Sequence, residues 1–150
     1  MVIVTTPQEV ALLDSRKSIT FANSLKVDVI GVIENMSGYT VRGKAPSGTE
    51  IELAAPGGKT IRVTSDGDGN WSGTLDIFKS GGGQKTAVEF GVPFLGKLPF
   101  DPGFVRGGDD GVHRIVSEPD GPSSQAFSEI VAKIQSKVES GSSSGGLEII

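Results

Sequence analysis

Four residues that could contact a ligand follow directly after one short apolar run: Glu34, Asn35, Met36 and Ser37. The run itself, at 27–33, is short and β-branched, which is typical of a strand buried on both faces of a parallel sheet. Ligands in open α/β sheets bind beyond the carboxyl ends of the strands, so a ligand contact is expected here. The local sequence alone favours a simpler alternative, in which Asn35 only caps or turns the chain.

Two further stretches have simpler explanations than a chemical site. Ser80-Gly81-Gly82-Gly83 precedes a helix, but its spacing is not that of a phosphate loop, and only the helix N-terminus favours an anion there. Asp66, Asp68 and Asn70 begin like a calcium loop, yet the sixth and twelfth positions lack the glycine and glutamate that such a loop needs. A plain turn is therefore favoured for the second stretch.

Composition excludes several classes of site and partner. The chain has no cysteine, and His113 is its only histidine, which excludes disulfides, thiolate nucleophiles and the usual zinc or iron–sulfur sites. His113 lies in a glycine-rich acidic loop, where a solvated side chain is favoured over a general base. A net charge of −4 argues against nucleic acid and anionic membranes as partners. With no apolar run of about 18 residues and no export signal, we expect a cytoplasmic protein.

The elements that would position these residues alternate between strand and helix. This pattern predicts an α/β fold with a partial parallel sheet of three strands and flanking helices. The stretch from Asp101 to Asp120 is predicted to be mostly loop, with one helical turn after Pro102. The predicted elements are a strand in Met1–Thr6, a helix ending near Leu25, a strand in Val29–Ile33, a helix near Gln84–Phe90, a strand in Val92–Leu98 and a last helix after Asp120.

The sequence changes character between Val41 and Thr74. Apolar and polar residues alternate there around glycine turns, which predicts a small antiparallel insert of two or three short strands. We call residues 41–74 the β-rich insert. The predicted organisation is a split α/β domain at 1–40 and 75–140, this insert, and a flexible Gly/Ser-rich tail at 141–150.

Most of the chain closely resembles one known family, segment by segment and in the same order. The segments are VIVTTPQEVALLDSRKSITFANSL, VDVIGVIENMSGY, LDIFKSGGGQKTAVEFGVPFLGKLPFDP and PDGPSSQAF. They resemble the C-terminal half of the Mrp family, whose members are P-loop ATPases of the MinD/ParA class that carry iron–sulfur clusters. The resemblance implies half of a P-loop NTPase fold. The β-rich insert resembles part of a bacterial Ig-like repeat.

The resemblance also indicates what this sequence lacks. In the family the phosphate-binding loop, its lysines and the aspartate segment that serves magnesium precede the strand at which this chain starts, and no GxxxxGK[ST] occurs here. The family's C-x-x-C follows the NMSG stretch, where this chain has the insert and no cysteine. We therefore expect a truncated Mrp-type carrier ATPase that is inactive alone and holds no iron–sulfur cluster.

By resemblance, Asn35 matches the family's base-reading asparagine, and the segment 98–101, which begins at Leu98, matches the loop that closes over the base. The resemblance thus implies four contact residues: Asn35, Pro99, Phe100 and Asp101. Without phosphate contacts, ATP should bind weakly and through its adenine side only. The alternative is a non-enzymatic binding or structural protein, in which the α/β part is a scaffold for the insert. In either case the strand at Val2–Thr5 would have an open edge, which predicts a homodimer or a complementary chain paired there.

Overall fold

The computed structural model describes residues 1–55 and 57–142. No helix within these two ranges is long and apolar enough to cross a membrane. The elements in chain order are β1 (Val2–Thr5), α1 (Glu9–Ser24), β2 (Gly31–Glu34), β3 (Tyr39–Lys44), β4 (Glu50–Ala55), β5 (Lys59–Thr64), β6 (Asn70–Leu75), α2 (Gly82–Phe90), β7 (Phe94–Lys97), α3 (Pro102–Asp110), α4 (Arg114–Ser117) and α5 (Pro122–Ser142).

Three strands form one parallel sheet in the order β1, β2, β7. The central strand, β2, is buried at all of its positions, as its unbroken apolar run predicts. Val2 lies opposite Gly31 on one side of β2, and Val32 lies opposite Phe94 on the other. The predicted α/β fold with a three-stranded parallel sheet is confirmed.

Helices cover both faces of this sheet because successive strand residues point to opposite sides. One face packs against α1 and α2 through Ile3, Ile19, Val32 and Ala87. The other packs against α5 through Ile33, Leu95 and Ile130. Val2 packs beside this second cluster, but Val4, which shares its face, is 59% exposed. The cover over β1 is therefore incomplete.

The β-rich insert contains four strands, so the prediction of two or three is wrong. β3 pairs with β6 and β4 pairs with β5, which nests one antiparallel hairpin inside another. Gly43 and Gly73 interrupt the apolar alternation in the outer pair, which is why the pattern did not show both strands. A Cβ on Gly73 would collide with Leu53, so the inner hairpin packs directly on the outer one.

The segment at 101–120 is also more ordered than predicted, because it holds the two helices α3 and α4. Asp101 caps α3 by accepting the N–H of Gly103, Pro102 takes the first helical position, and Gly111 ends the helix at a φ of 69°. Internal glycines hid this helix from a propensity argument. At the other end of the chain, α5 extends to Ser142, into the predicted tail, and the rest of that tail lies outside the described residues.

Candidate functional site

A cavity of about 310 Å³ opens at the sheet edge where β2 and β7 end, and we call it the strand-exit cavity. Its lining includes all four residues that the resemblance implied, Asn35, Pro99, Phe100 and Asp101. The other lining residues are Met36, Leu98, Phe104, Val105 and Phe127. The structure thus brings the residues from two strand exits to one place, while the role of each residue stays a prediction.

Asn35 supplies the amide of the strand-exit cavity. Its backbone N–H donates to the Thr5 carbonyl at 2.7 Å, which ties this residue to the end of β1. Its Oδ1 accepts the N–H of Met36 at 2.9 Å, and Met36 has a φ of 56°, which is uncommon for a residue other than glycine. Among the described residues no acceptor pairs with its Nδ2, so this tight turn leaves a donor for a ligand.

Backbone hydrogen bonds join the wall after β7 to the loop after β2. The N–H of Leu98 donates to the Glu34 carbonyl at 2.8 Å, and the N–H of Phe100 donates to the Gly38 carbonyl at 2.7 Å. The Phe100 ring lies edge-on to Tyr39, with ring centroids 5.9 Å apart. The two strand exits therefore form one continuous rim.

Asp101 lines the cavity, but its carboxylate is engaged by the protein. One oxygen accepts the N–H of Gly103 at 2.7 Å, and the other accepts from Nε of Arg114 at 3.1 Å. Burial would raise the pKa of Asp101, but hydrogen bonds from the Gly103 N–H and from the side chains of Ser123 and Arg114 lower this pKa overall. Because Arg114 balances this charge, the cavity is close to neutral.

Glu34 points away from the cavity, contrary to its place among the candidate contacts. It is fully buried, and its carboxylate accepts the N–H groups of Gly81 at 2.9 Å and Gly83 at 2.6 Å, at the N-terminus of α2. Ser37, another candidate, donates its hydroxyl to Glu34 at 2.6 Å. Burial would raise the pKa of Glu34, but these hydrogen bonds lower it overall. The protein's own carboxylate thus fills the anion position of this helix.

Three apolar cavity residues were not predicted as site residues: Phe104, Val105 and Phe127. The rings of Phe104 and Phe127 lie 6.3 Å apart and form an aromatic side of the cavity. A signal for Phe104 was present, because an aspartate followed by proline is typical of a helix start. That start would have placed Phe104 on a helix beside the Asp101 loop.

The calcium-like loop forms a turn, and the histidine side chain is exposed. Asp66 accepts the N–H groups of Asp68 at 3.0 Å and Asn70 at 2.8 Å, which confirms the predicted turn. His113 is exposed at the start of α4. Within 1–55 and 57–142, no three histidine, aspartate or glutamate residues are grouped so that they could hold a metal ion.

A family model described as "ParA: NUBPL iron-transfer P-loop NTPase" matches residues 1–58 and 69–135. The chain belongs to this family. The match includes both strand exits and most of the β-rich insert. The resemblance of the insert to an Ig-like repeat therefore finds no support, because most of the insert is sequence that the P-loop NTPase family itself has.

Relatives in this P-loop NTPase family are similar over nearly the whole chain but are much longer. The iron-sulfur cluster carrier proteins of Synechocystis sp. and Methanocaldococcus jannaschii are both 36% identical, over 91% and 92% of this chain and 31% and 38% of their own lengths. The cytosolic Fe-S cluster assembly factor NUBP2 of Bos taurus is 34% identical over 93% of this chain and 41% of its own. The chain spans less than half the length of these relatives.

Solved structures show the same fold. The cell division ATPase MinD of Pyrococcus furiosus matches 90% of this chain and 41% of its own, with a TM-score of 0.56 at 16% identity. The septum site-determining protein MinD of Pyrococcus horikoshii, complexed with Mg-ADP, matches 89% and 40%, with a TM-score of 0.55 at 16% identity. At this identity the likeness concerns the fold alone, which is that of MinD-like P-loop NTPases.

Proposed function

We propose that this chain supplies the base side of an adenine-nucleotide site in an iron–sulfur cluster carrier of the cytoplasm. The observation that carries the proposal is the strand-exit cavity, where one uncommitted amide donor, that of Asn35, stands among apolar and aromatic walls at the carboxyl ends of two parallel strands. Its charge is balanced because Asp101 pairs with Arg114. A neutral planar base suits such a cavity better than an anion does.

The chemistry of Asn35 favours adenine among the bases. An asparagine amide can donate to N7 of adenine and accept from its N6 amine, whereas guanine and hypoxanthine present an acceptor where adenine has that amine. Oδ1 already accepts from Met36, and a carbonyl oxygen has a second lone pair for the N6 amine. The rings of Phe100, Phe104 and Phe127 would contact the faces of the base.

The same residues do not fit the rest of a nucleotide or a cluster. The α2 N-terminus, which could have bound a phosphate, already holds the Glu34 carboxylate, and the sequence contains no GxxxxGK[ST]. An iron–sulfur cluster needs thiolate ligands, and the sequence has no cysteine. We expect the 150 residues by themselves to show no magnesium-dependent ATP hydrolysis and no visible absorption after cluster reconstitution. ATP hydrolysis that survives extensive purification, or cluster absorption after reconstitution, would contradict this expectation.

Titration by NMR with two nucleosides tests the base site. Adenosine should bind with a Kd of about 1 mM, or about 4 kcal/mol, and inosine at least about fivefold more weakly. Asn35→Ala should abolish adenosine binding, whereas Asn23→Ala, an exposed asparagine on α1, should leave it unchanged. Micromolar binding that ignores Asn35→Ala would show that the site is misplaced. No binding at all would favour the alternative, a non-enzymatic scaffold for the β-rich insert.

We also propose that β1 pairs with another chain, either a second copy or a complementary one. β1 is an edge strand, an open trough of about 430 Å³ runs along it, and Val4 is 59% exposed. Sedimentation should show a dimer or larger species, with β1 amides protected from hydrogen exchange. A cooperatively folded monomer whose amides at Val2–Thr5 exchange freely would contradict pairing with a second copy.

A further inference from the structure

The outer side of the strand-exit cavity is formed by α3, a helix that its own sequence supports poorly. Phe104 and Val105 of this helix line the cavity. Glycine occupies 103, 107 and 108, and glycine is the poorest helix former after proline. Contacts from outside the helix must therefore hold this wall in place.

The Phe127 ring contacts Phe104 from α5. The contacts to the first turn of α3 come from Arg114, which begins α4. Its Nε donates to Asp101 at 3.1 Å, and Asp101 in turn caps α3 through Gly103. The side chains of Arg114 and Asp101 are 24% and 15% exposed, so this ion pair is shielded more than an ordinary surface pair. The guanidinium also forms a close ion pair with Glu118. Arg114 thus joins the first turn of α3 to α4.

The lack of space around Gly103 shows how closely the guanidinium packs on α3. A Cβ at this position would lie 2.6 Å from Cζ of Arg114 and closer still to Nε, so no side chain fits while Arg114 is in place. Gly108, on the same helix, has open space around it. Neither glycine has a positive φ, so alanine is compatible with the backbone at both positions.

We propose that Arg114 is the positioning residue of the base site: its guanidinium, packed on Gly103 and paired with Asp101, holds α3 where Phe104 and Val105 can contact a bound base. This inference rests on the proposed function. It requires no direct contact between Arg114 and the base. Glu118 continues the chain of ion pairs to Arg42 of β3 at 3.3 Å, on the β-rich insert.

The first test measures adenosine affinity in variants of the full chain. Arg114→Ala should weaken binding about tenfold, and Arg114→Lys should recover only part of the loss, because an ammonium lacks the planar fork that pairs with Asp101 and Glu118 together. Arg106→Ala, which removes an exposed arginine from α3 itself, should leave the affinity unchanged. Adenosine binding by the unaltered chain that persists in full in Arg114→Ala would overturn the positioning role and leave the proposed function standing.

A double-mutant cycle separates positioning from general stability. Gly103→Ala should weaken binding in the unaltered chain, because its methyl group displaces the guanidinium, but should have no further effect in Arg114→Ala. In that background Gly103→Ala should instead raise the melting temperature by about 2 to 4 °C, as alanine replaces glycine in a helix. Gly108→Ala should raise it in both backgrounds without changing affinity.

Each outcome of the cycle bears on the proposal. Equal effects of Gly103→Ala with and without Arg114 would overturn it, because they would show that the methyl group acts on something other than the guanidinium. A loss of affinity in Gly108→Ala as large as that in Gly103→Ala would also overturn it, since helix composition alone would then explain the data. No adenosine binding by the unaltered chain would overturn the proposed function and this role with it.

Discussion

The two strand exits that meet at the strand-exit cavity each carry one carboxylate, and the protein uses the two differently. Glu34, the last residue of β2, is fully buried, and its carboxylate binds the N-terminus of α2, a helix distant in sequence. Asp101 after β7 is partly exposed and holds the helix that it begins, with Arg114 as its counter-charge. Glu34 therefore joins two elements of the core, β2 and α2, whereas Asp101 stabilises α3, which forms a wall of the cavity.

This difference explains why the cavity is neutral. At both exits the charged side chain is bound to protein groups, which leaves neutral residues to face the opening, with Asn35 at one exit and Pro99 and Phe100 at the other. A carboxylate at a strand end is therefore insufficient to indicate a metal or phosphate site. The partners that it already has decide its role.

Replacing Glu34 should have the largest effect. Glu34→Ala would leave the buried N–H of Gly83 and the partly buried N–H of Gly81 without an acceptor and open a cavity in the core, at a cost of about 4 kcal/mol. Glu34→Gln keeps the shape and one acceptor, and should cost about 2 kcal/mol. Urea unfolding midpoints measure both. If Glu34→Ala lowered the free energy of unfolding by less than about 1 kcal/mol, Glu34 would not be what holds α2 in place.

Asp101 should matter less to the fold. Asp101→Ala should cost about 1 to 2 kcal/mol, from the loss of the helix cap and of a partly screened ion pair. Asp101→Asn should cost less still, because asparagine caps helices as well as aspartate does. The same urea series provides the comparison. If Asp101→Asn proved as damaging as Glu34→Gln, the contrast between the two exits would be lost.

The contribution of Glu34 to stability should show in how steeply the free energy of unfolding falls as the pH is lowered. Its pKa is lowered in the folded state, so its contribution is complete above the ordinary value of 4.5 and is lost as the pH falls through the folded pKa. Glu34→Gln should reduce the acid slope by up to about 1 kcal/mol per pH unit. Unfolding midpoints between pH 7 and pH 3 measure this. An unchanged slope would mean that Glu34 titrates alike in both states.

The sequence predicted the sheet better than the site, because the sheet follows from local patterns whereas the site depends on contacts distant along the chain. The β-branched run before Glu34 and the apolar stripe of α5 have one dominant period each, so strand and helix follow locally. The direction in which Glu34 points depends on Gly81 and Gly83, which are far along the chain, and no local pattern contains that contact. Likewise α3 is held by Arg114 against its own composition, so propensity alone predicted a loop there.

The smallest effect is expected where the cavity rim meets the β-rich insert. Arg42 pairs with Glu118 at 3.3 Å, but their side chains are 52% and 35% exposed, so Arg42→Ala should cost less than about 0.5 kcal/mol. Adenosine affinity should be unchanged. A control substitution, Arg62→Ala on β5, removes two more exposed ion pairs, with Glu50 and Glu52, and should also leave the affinity unchanged. A loss of affinity in Arg42→Ala alone would show that the insert shapes the cavity.

The central claim, that charged groups at both exits serve the fold while the neutral cavity takes a base, is tested most directly by locating bound adenosine. Nuclear Overhauser effects between adenine protons and protein side chains report contacts within about 5 Å, the range over which aromatic rings and bases stack. We predict cross-peaks from the adenine H2 and H8 protons to the rings of Phe100, Phe104 and Phe127. Cross-peaks to the glycines that bind Glu34, or none to these rings at saturation, would contradict the account.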